Sequence, residues 1–218
     1  PAAQSNLAIV YANGLGVLQD NQRAKELWEK AAEKKDTDAQ YNLGIMYHHG
    51  KGIPQDYKKA ITWYKKAAEQ GFVKAQYNLG VIYASGLGEQ NYNQALFWYR
   101  KAAEQGDATA QNNLGYMYEY GRGVLQDYNQ AVSWYEKAAK FGLPDAQYNL
   151  ASMYANGRGV FQDYNQAIML YKQAAEKGYS DAEFSLGVVY ENGLGVMQSY
   201  TQAIDWYRKA AEKGLSSA

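Results

Sequence analysis

The 218-residue chain is 47% hydrophobic and 15% aromatic, which excludes a disordered polymer and leaves apolar surface for a sizeable core. Twenty-two basic and twenty-two acidic residues cancel, so no overall field gathers nucleic acid or anionic lipid. The absence of cysteine removes disulfides, thiolate metal ligands and thiol nucleophiles, and no run of about eighteen apolar residues offers a membrane span.

The predicted elements repeat along the chain. An alanine opens each of six units, at Ala3, Ala39, Ala75, Ala110, Ala146 and Ala182, in steps of 36 residues except for one of 35 after Ala75. The units are 3–38, 39–74, 75–109, 110–145, 146–181 and 182–217, together one domain over 3–218. With the alanine as offset zero, Leu stands at +4, Tyr at +8 and Gly at +11 and +13 in every unit. Small or apolar residues at zero, +4, +7 and +8 trace one helical face, so a first helix is expected from offset zero to +10. Asp38, Thr109, Asp145 and Asp181 are its expected N-caps, and the glycine at +11 its stop.

A second helix is expected to open at Asp20, Asp56, Asp127 or Asp163, with an apolar stripe such as Ala60, Trp63, Tyr64, Ala67 and Ala68. The first unit departs from this pattern, with Asn21 for Tyr, Leu27-Trp28 for Trp-Tyr and Lys35 for the closing glycine. The third lacks one loop residue and carries Glu89 where the others have Val or Ile, which predicts a loop of different shape. Helices this short gain stability by stacking. The expectation is an all-α fold, a right-handed superhelical solenoid of six stacked helix pairs with a concave and a convex face.

The unit A-Q-x-N-L-G-x-x-Y-x-x-G-x-G-V-x-Q-D-Y-x-x-A-x-x-W-Y-x-K-A-A-E-x-G resembles the Sel-one-like repeat, a relative of the tetratricopeptide repeat. The G-x-G loop followed by Val and Gln-Asp-Tyr, as in Gly121 to Tyr128, separates it from ordinary tetratricopeptide repeats. The resemblance covers the chain from Ala3 onward and implies an adaptor that assembles protein complexes, a role widespread in bacteria; it names no partner. The chain starts at Pro1 and Ala218 falls where a seventh unit would begin, so a longer parent is expected. Solubility is expected too, with a bacterial periplasmic or secreted location after removal of a signal segment as one reading and the compartment otherwise open.

The chemistry-bearing motifs point away from catalysis. The Gly-x-Gly pairs lack the strand of a dinucleotide fingerprint and the Gly-Lys-Ser/Thr of a Walker loop, so they read as turns. His48 and His49, at adjacent helical positions, are expected to diverge and not to share a metal. Asp163-Tyr164-Asn165 lacks the ligand alternation of a calcium loop. No catalytic residue, metal or cofactor is expected.

The face of the first helices opposite the stripe carries offsets +2, +6, +9 and +10, flanked by +3. It holds Tyr41, Asn42, Ile45, His48 and His49, then Tyr77, Asn78 and Val81. Further along come Asn112, Asn113, Tyr116, Glu119 and Tyr120, then Tyr148, Asn149 and Ser152. Tyrosine-rich, partly apolar surface of this kind, expected to form the concave face of the solenoid, suits a protein or peptide partner bound along it. The other reading is that the +2 and +6 rings pack between neighbouring units. The asparagines at +3 fit a bound peptide backbone and a tie between units equally well. A glycan, stacking on the tyrosines and pairing with the asparagines, is the alternative ligand.

Overall fold

The computed structural model describes residues 1–88 and 90–212. Among them are twelve α-helices and no strand. The chain divides into two compact units, Pro1–Gln105 and Gly106–Ala218. The first contains α1 (Ala2–Asn13), α2 (Asn21–Glu33), α3 (Thr37–His49), α4 (Tyr57–Glu69), α5 (Val73–Ser85) and α6 (Tyr92–Glu104). The second contains α7 (Ala108–Tyr120), α8 (Tyr128–Lys140), α9 (Pro144–Asn156), α10 (Tyr164–Glu176), α11 (Ser180–Asn192) and α12 (Tyr200–Glu212). Within each unit a helix packs chiefly on the one before it and the one after it. Among the described residues no helix is long and apolar enough to cross a membrane.

Each loop of the repeat is built from its own motif. The glycine at +11 takes a left-handed conformation, φ 66° at Gly50 and 65° at Gly121, and lets the chain turn out of the first helix. The glutamine at +16 then folds its amide back onto the helix end: Gln55 donates to the His48 carbonyl at 2.6 Å and Gln126 to that of Glu119 at 2.8 Å. The next aspartate gives its N–H to the tyrosine carbonyl at +8, and its side chain caps the second helix, as Asp56 does for Lys59 N–H at 3.0 Å. The shortened third loop keeps this scheme with Gln90 and Asn91 but opens Gly88 to φ 110°, against 70° at Gly123 and Gly159.

From α3 onward the first helices start two residues earlier than expected. Asp36 and Asp107 are the side-chain caps, each accepting from the backbone N–H three residues on at 2.8 Å. Asp38, Thr109, Asp145 and Asp181 therefore lie inside the first turn, where the three carboxylates favour the positive end of the helix dipole without capping it. Phe72, Leu143 and Tyr179 hold the cap position with no side-chain bond, and after Leu143 the helix is started by Pro144, whose ring presets φ and whose missing N–H costs nothing there.

The core is the conserved stripe of the repeat itself. Leu43, Leu79, Leu114, Leu150 and Leu186 are buried, as are the alanines at zero from Ala39 onward and those at +21, whereas Ala3 and Leu7, with no helix pair before them among the described residues, are exposed. Tyr64 and Tyr135 are fully buried. The tryptophans at +24 divide: Trp98 is buried, while Trp63 and Trp134 lie half-buried beneath the ammonium groups of Lys66 and Lys137, 4.0 and 3.8 Å from the ring centroids.

Candidate functional site

In the second unit the last turn of α7 places Glu119 against α8 and the loop after α9. Its Oε2 accepts a hydrogen bond from the Tyr135 hydroxyl at 2.7 Å, and its Oε1 lies 3.7 Å from the Arg158 guanidinium. The sequence reading put Glu119 on an exposed face; it is only 7% exposed. The correction follows from α8: Tyr135, sixteen residues on, reaches across and takes the carboxylate inward. Burial, then the Glu119 charge, holds the Tyr135 hydroxyl far above the ordinary phenol range.

Beside this pair, the rings of Tyr116 and Tyr120 pack with centroids 4.5 Å apart and planes tilted by 41°, and the Arg122 guanidinium sits 4.8 Å from the Tyr116 centroid. Tyr120 is more than half exposed; partial burial and, after it, the nearby Glu119 raise its pKa. The asparagines of this unit act as a tie: Asn149 donates to Asn112 at 2.9 Å, joining α9 to α7. Asn113 is half-buried. Tyr148 lies between Tyr171 and Tyr179 of its own repeat, at 5.7 and 5.3 Å, so its ring packs the two helices of that repeat together. Ser152 accepts from the Asn156 amide.

In the first unit Tyr41 likewise packs on Phe72 and Tyr64, at 4.9 and 5.8 Å, and Asn78 hydrogen-bonds the hydroxyls of both tyrosines. Tyr77 repeats this arrangement against Tyr99 at 6.0 Å, with Val81 half-buried one turn on. His48 and His49 do not diverge as expected: their rings stack at 4.5 Å and 3°. His48 is held by Tyr57 and Tyr64, its Nδ1 3.4 Å from the Tyr64 hydroxyl, and burial followed by the His49 charge lowers its pKa; His49 is exposed. Asn42 and Ile45 line a cavity of about 560 Å³ between the first and second repeats.

The Sel1 repeat model matches six times, over residues 1–36, 37–72, 73–107, 108–142, 144–179 and 180–215. The chain belongs to the Sel1 repeat family. The Sel1 units are phased about two residues ahead of the alanine count, close to where the first helices begin. Among solved structures, a protective antigen of uropathogenic Escherichia coli strains displaying an SLR fold is 43% identical with a TM-score of 0.92; the alignment covers 99% of this chain and 46% of that one. The chain thus spans about half the length of the E. coli protein. A Sel1 repeat protein from Oxalobacter formigenes is 38% identical with a TM-score of 0.82, covering 96% of this chain and 84% of that one. An immunity protein from Pseudomonas aeruginosa, 23% identical over 97% of this chain and 81% of its own with a TM-score of 0.53, shares the fold. No curated protein matches the chain significantly.

One surface of these Sel1 repeats escaped the sequence reading. Leu125, Phe161 and Met197, the variable residue of Gly-Val-x-Gln in three successive repeats, are each about nine-tenths exposed or more. The signal was present: a large apolar residue recurring where a turn needs none.

Proposed function

We propose that the protein is a non-enzymatic interaction scaffold that binds a peptide or protein segment on the exposed face of its first helices. Family membership supports the general class, since Sel1 repeat proteins are generally protein-interaction scaffolds. The observation that carries the local assignment is the close, tilted Tyr116–Tyr120 pair with Arg122 over Tyr116, an aromatic and guanidinium surface at the helix end on which Tyr120 and Arg122 are exposed and Tyr116 half-buried. Such residues supply contact area at low entropic cost and dominate interface energetics. Tyr116 and Tyr120 are the proposed contacts. Glu119 acts beneath them by fixing Tyr135, Asn112 and Asn149 tie the fourth repeat to the fifth, and Tyr41 and Tyr148 pack within their own repeats and shape the surface.

The test is titration of a co-purified partner against Tyr116→Ala combined with Tyr120→Ala. Affinity should fall at least about tenfold, on the order of 1.4 kcal/mol, with the helical circular dichroism unchanged. Lys101→Ala, on α6, should leave affinity intact. Unchanged binding by the double variant, or a larger loss at Lys101, rejects this surface.

A further inference from the structure

The residue at +9 alternates along the array: Ala12, His48, Ala84, Glu119, Ala155 and Glu191. In the even repeats its side chain meets the polar tip of the tyrosine at +25: Tyr135 donates to Glu119 at 2.7 Å, Tyr207 to Glu191 at 2.6 Å, and Tyr64 lies 3.4 Å from His48. In the fourth repeat the carboxylate also faces Arg158, the residue at +12 of the following loop. In the fourth repeat an internal acid therefore sits in a frame with a donor at +25 below it and a cation at +12 beside it, whereas the +12 residue that follows the second repeat is Leu87.

The first repeat keeps the frame and lacks the acid. Ala12 stands at +9, Trp28 at +25 and Lys51 at +12 of the next loop, and all three line the cavity of about 560 Å³. Trp28 is 6% exposed, and its indole N–H, with almost no accessible surface of its own, has no hydrogen-bond partner among the described residues. A buried donor left unpaired costs free energy that an incoming acceptor would recover. Lys51 is the one charged residue lining the cavity and makes no ion pair among the described residues. Ile9, Ile45 and Met46 supply an apolar wall for a short aliphatic chain. The fifth repeat gives the contrast. Its cavity, bounded by Ala155 and Tyr171, has Leu194 at +12 and no cation.

We infer that the cavity between the first and second repeats binds the carboxylate of a glutamate side chain from the partner, which takes the place that Glu119 fills from within the chain three repeats on. This deepens the scaffold reading, on which it rests for the partner being a protein, by naming the chemistry of one contact.

The experiment follows the Trp28 indole N–H by nuclear magnetic resonance, identified through its loss in Trp28→Phe. Three probes are titrated: the α-amide of N-acetylglutamate, its glutamine counterpart, and N-acetylalanine, which carries a terminal carboxylate instead of a side-chain one. The glutamate compound should move the Trp28 signal saturably, and the other two should bind at least about fivefold more weakly. Lys51→Met should weaken the glutamate compound about tenfold. Ala12→Glu should abolish its binding and move the Trp28 signal without ligand, because the chain then supplies its own acid. An unmoved Trp28 signal, equal binding of the glutamine compound or N-acetylalanine, or an undiminished affinity in Lys51→Met overturns the inference, and the last applies even if Ala12→Glu does not fold. Failure here leaves the partner titration at Tyr116 and Tyr120 standing, since those residues belong to the other compact unit.

Discussion

Gly44 lies flat against the ring of Tyr64, so close that a β-carbon on the glycine would overlap the ring atoms. The same pairing joins Gly80 to Tyr99, Gly115 to Tyr135 and Gly187 to Tyr207. Helix propensity favours alanine at such a position by up to about 1 kcal/mol. Overpacking a fully buried ring costs about 1 to 3 kcal/mol and wins. Gly44→Ala should therefore lower stability in urea unfolding. The fifth repeat already carries Ala151 at this offset, and its Tyr171 is slightly more exposed than Tyr64. There the reverse change, Ala151→Gly, should cost about 0.5 to 1 kcal/mol, because it relieves no clash. A gain in stability from either Gly44→Ala or Ala151→Gly would refute the packing explanation.

Lys35 has φ 61° at the end of α2, where later repeats place Gly71, Gly106, Gly142 and Gly178. A side chain in the left-handed region costs roughly 1 to 2 kcal/mol, and the extra unfolded-state freedom of glycine returns part of it. Lys35→Gly is expected to stabilise the protein by about 0.5 to 1 kcal/mol in thermal unfolding. A loss of stability would mean that the lysine side chain has a compensating role.

What was legible in the sequence follows the range of the interaction. The 36-residue period, the left-handed glycines and the caps of the second helices each depend on neighbours within one loop, and the structure has them. The first-helix caps were misplaced by two residues because Asp36 and Asp38 both suit a helix start and only the backbone decides between them. The site was harder to read. The Glu119–Tyr135 bond spans sixteen residues and the Asn112–Asn149 bond thirty-seven, so a wheel drawn for one helix shows neither. For the same reason Glu119 looked exposed, and the cavity beside Ala12 was invisible until Trp28 and Lys51 were placed around it.

The Glu119–Tyr135 pair gives a third prediction. A hydrogen bond to a charged group contributes about 1.5 to 3 kcal/mol, whereas the longer contact to half-exposed Arg158 contributes little. Glu119→Ala should destabilise by about 1 to 3 kcal/mol because it strands a buried hydroxyl. Arg158→Ala should change stability by less than about 1 kcal/mol. Combining Glu119→Ala with Tyr135→Phe should cost less than the sum of the two single changes. Additive losses in that cycle would show that the bond is not a significant source of stability.

The buried tyrosines predict how the fold fails in alkali. Burial is the first cause of the raised pKa at Tyr64, Tyr135 and Tyr171, and at Tyr171 the value is pushed up to about 12. In the unfolded chain a tyrosine ionises near its ordinary value of about 10. The folded state therefore holds these protons more tightly than the unfolded state does. Their contribution is fully present below about pH 10 and is lost as the pH rises toward the folded value. For Tyr171 alone the two-unit difference corresponds to at most about 2 to 3 kcal/mol. Stability against urea should be level through neutral pH and fall steeply above about pH 10. The buried share of the tyrosinate absorbance should appear together with loss of the helical signal. Tyr171→Phe removes one ionisable hydroxyl from the core and should shift the alkaline midpoint upward, relative to any change in stability at neutral pH. Complete tyrosinate formation near pH 10 in a chain that still shows its full helical circular dichroism would contradict the burial on which the prediction stands.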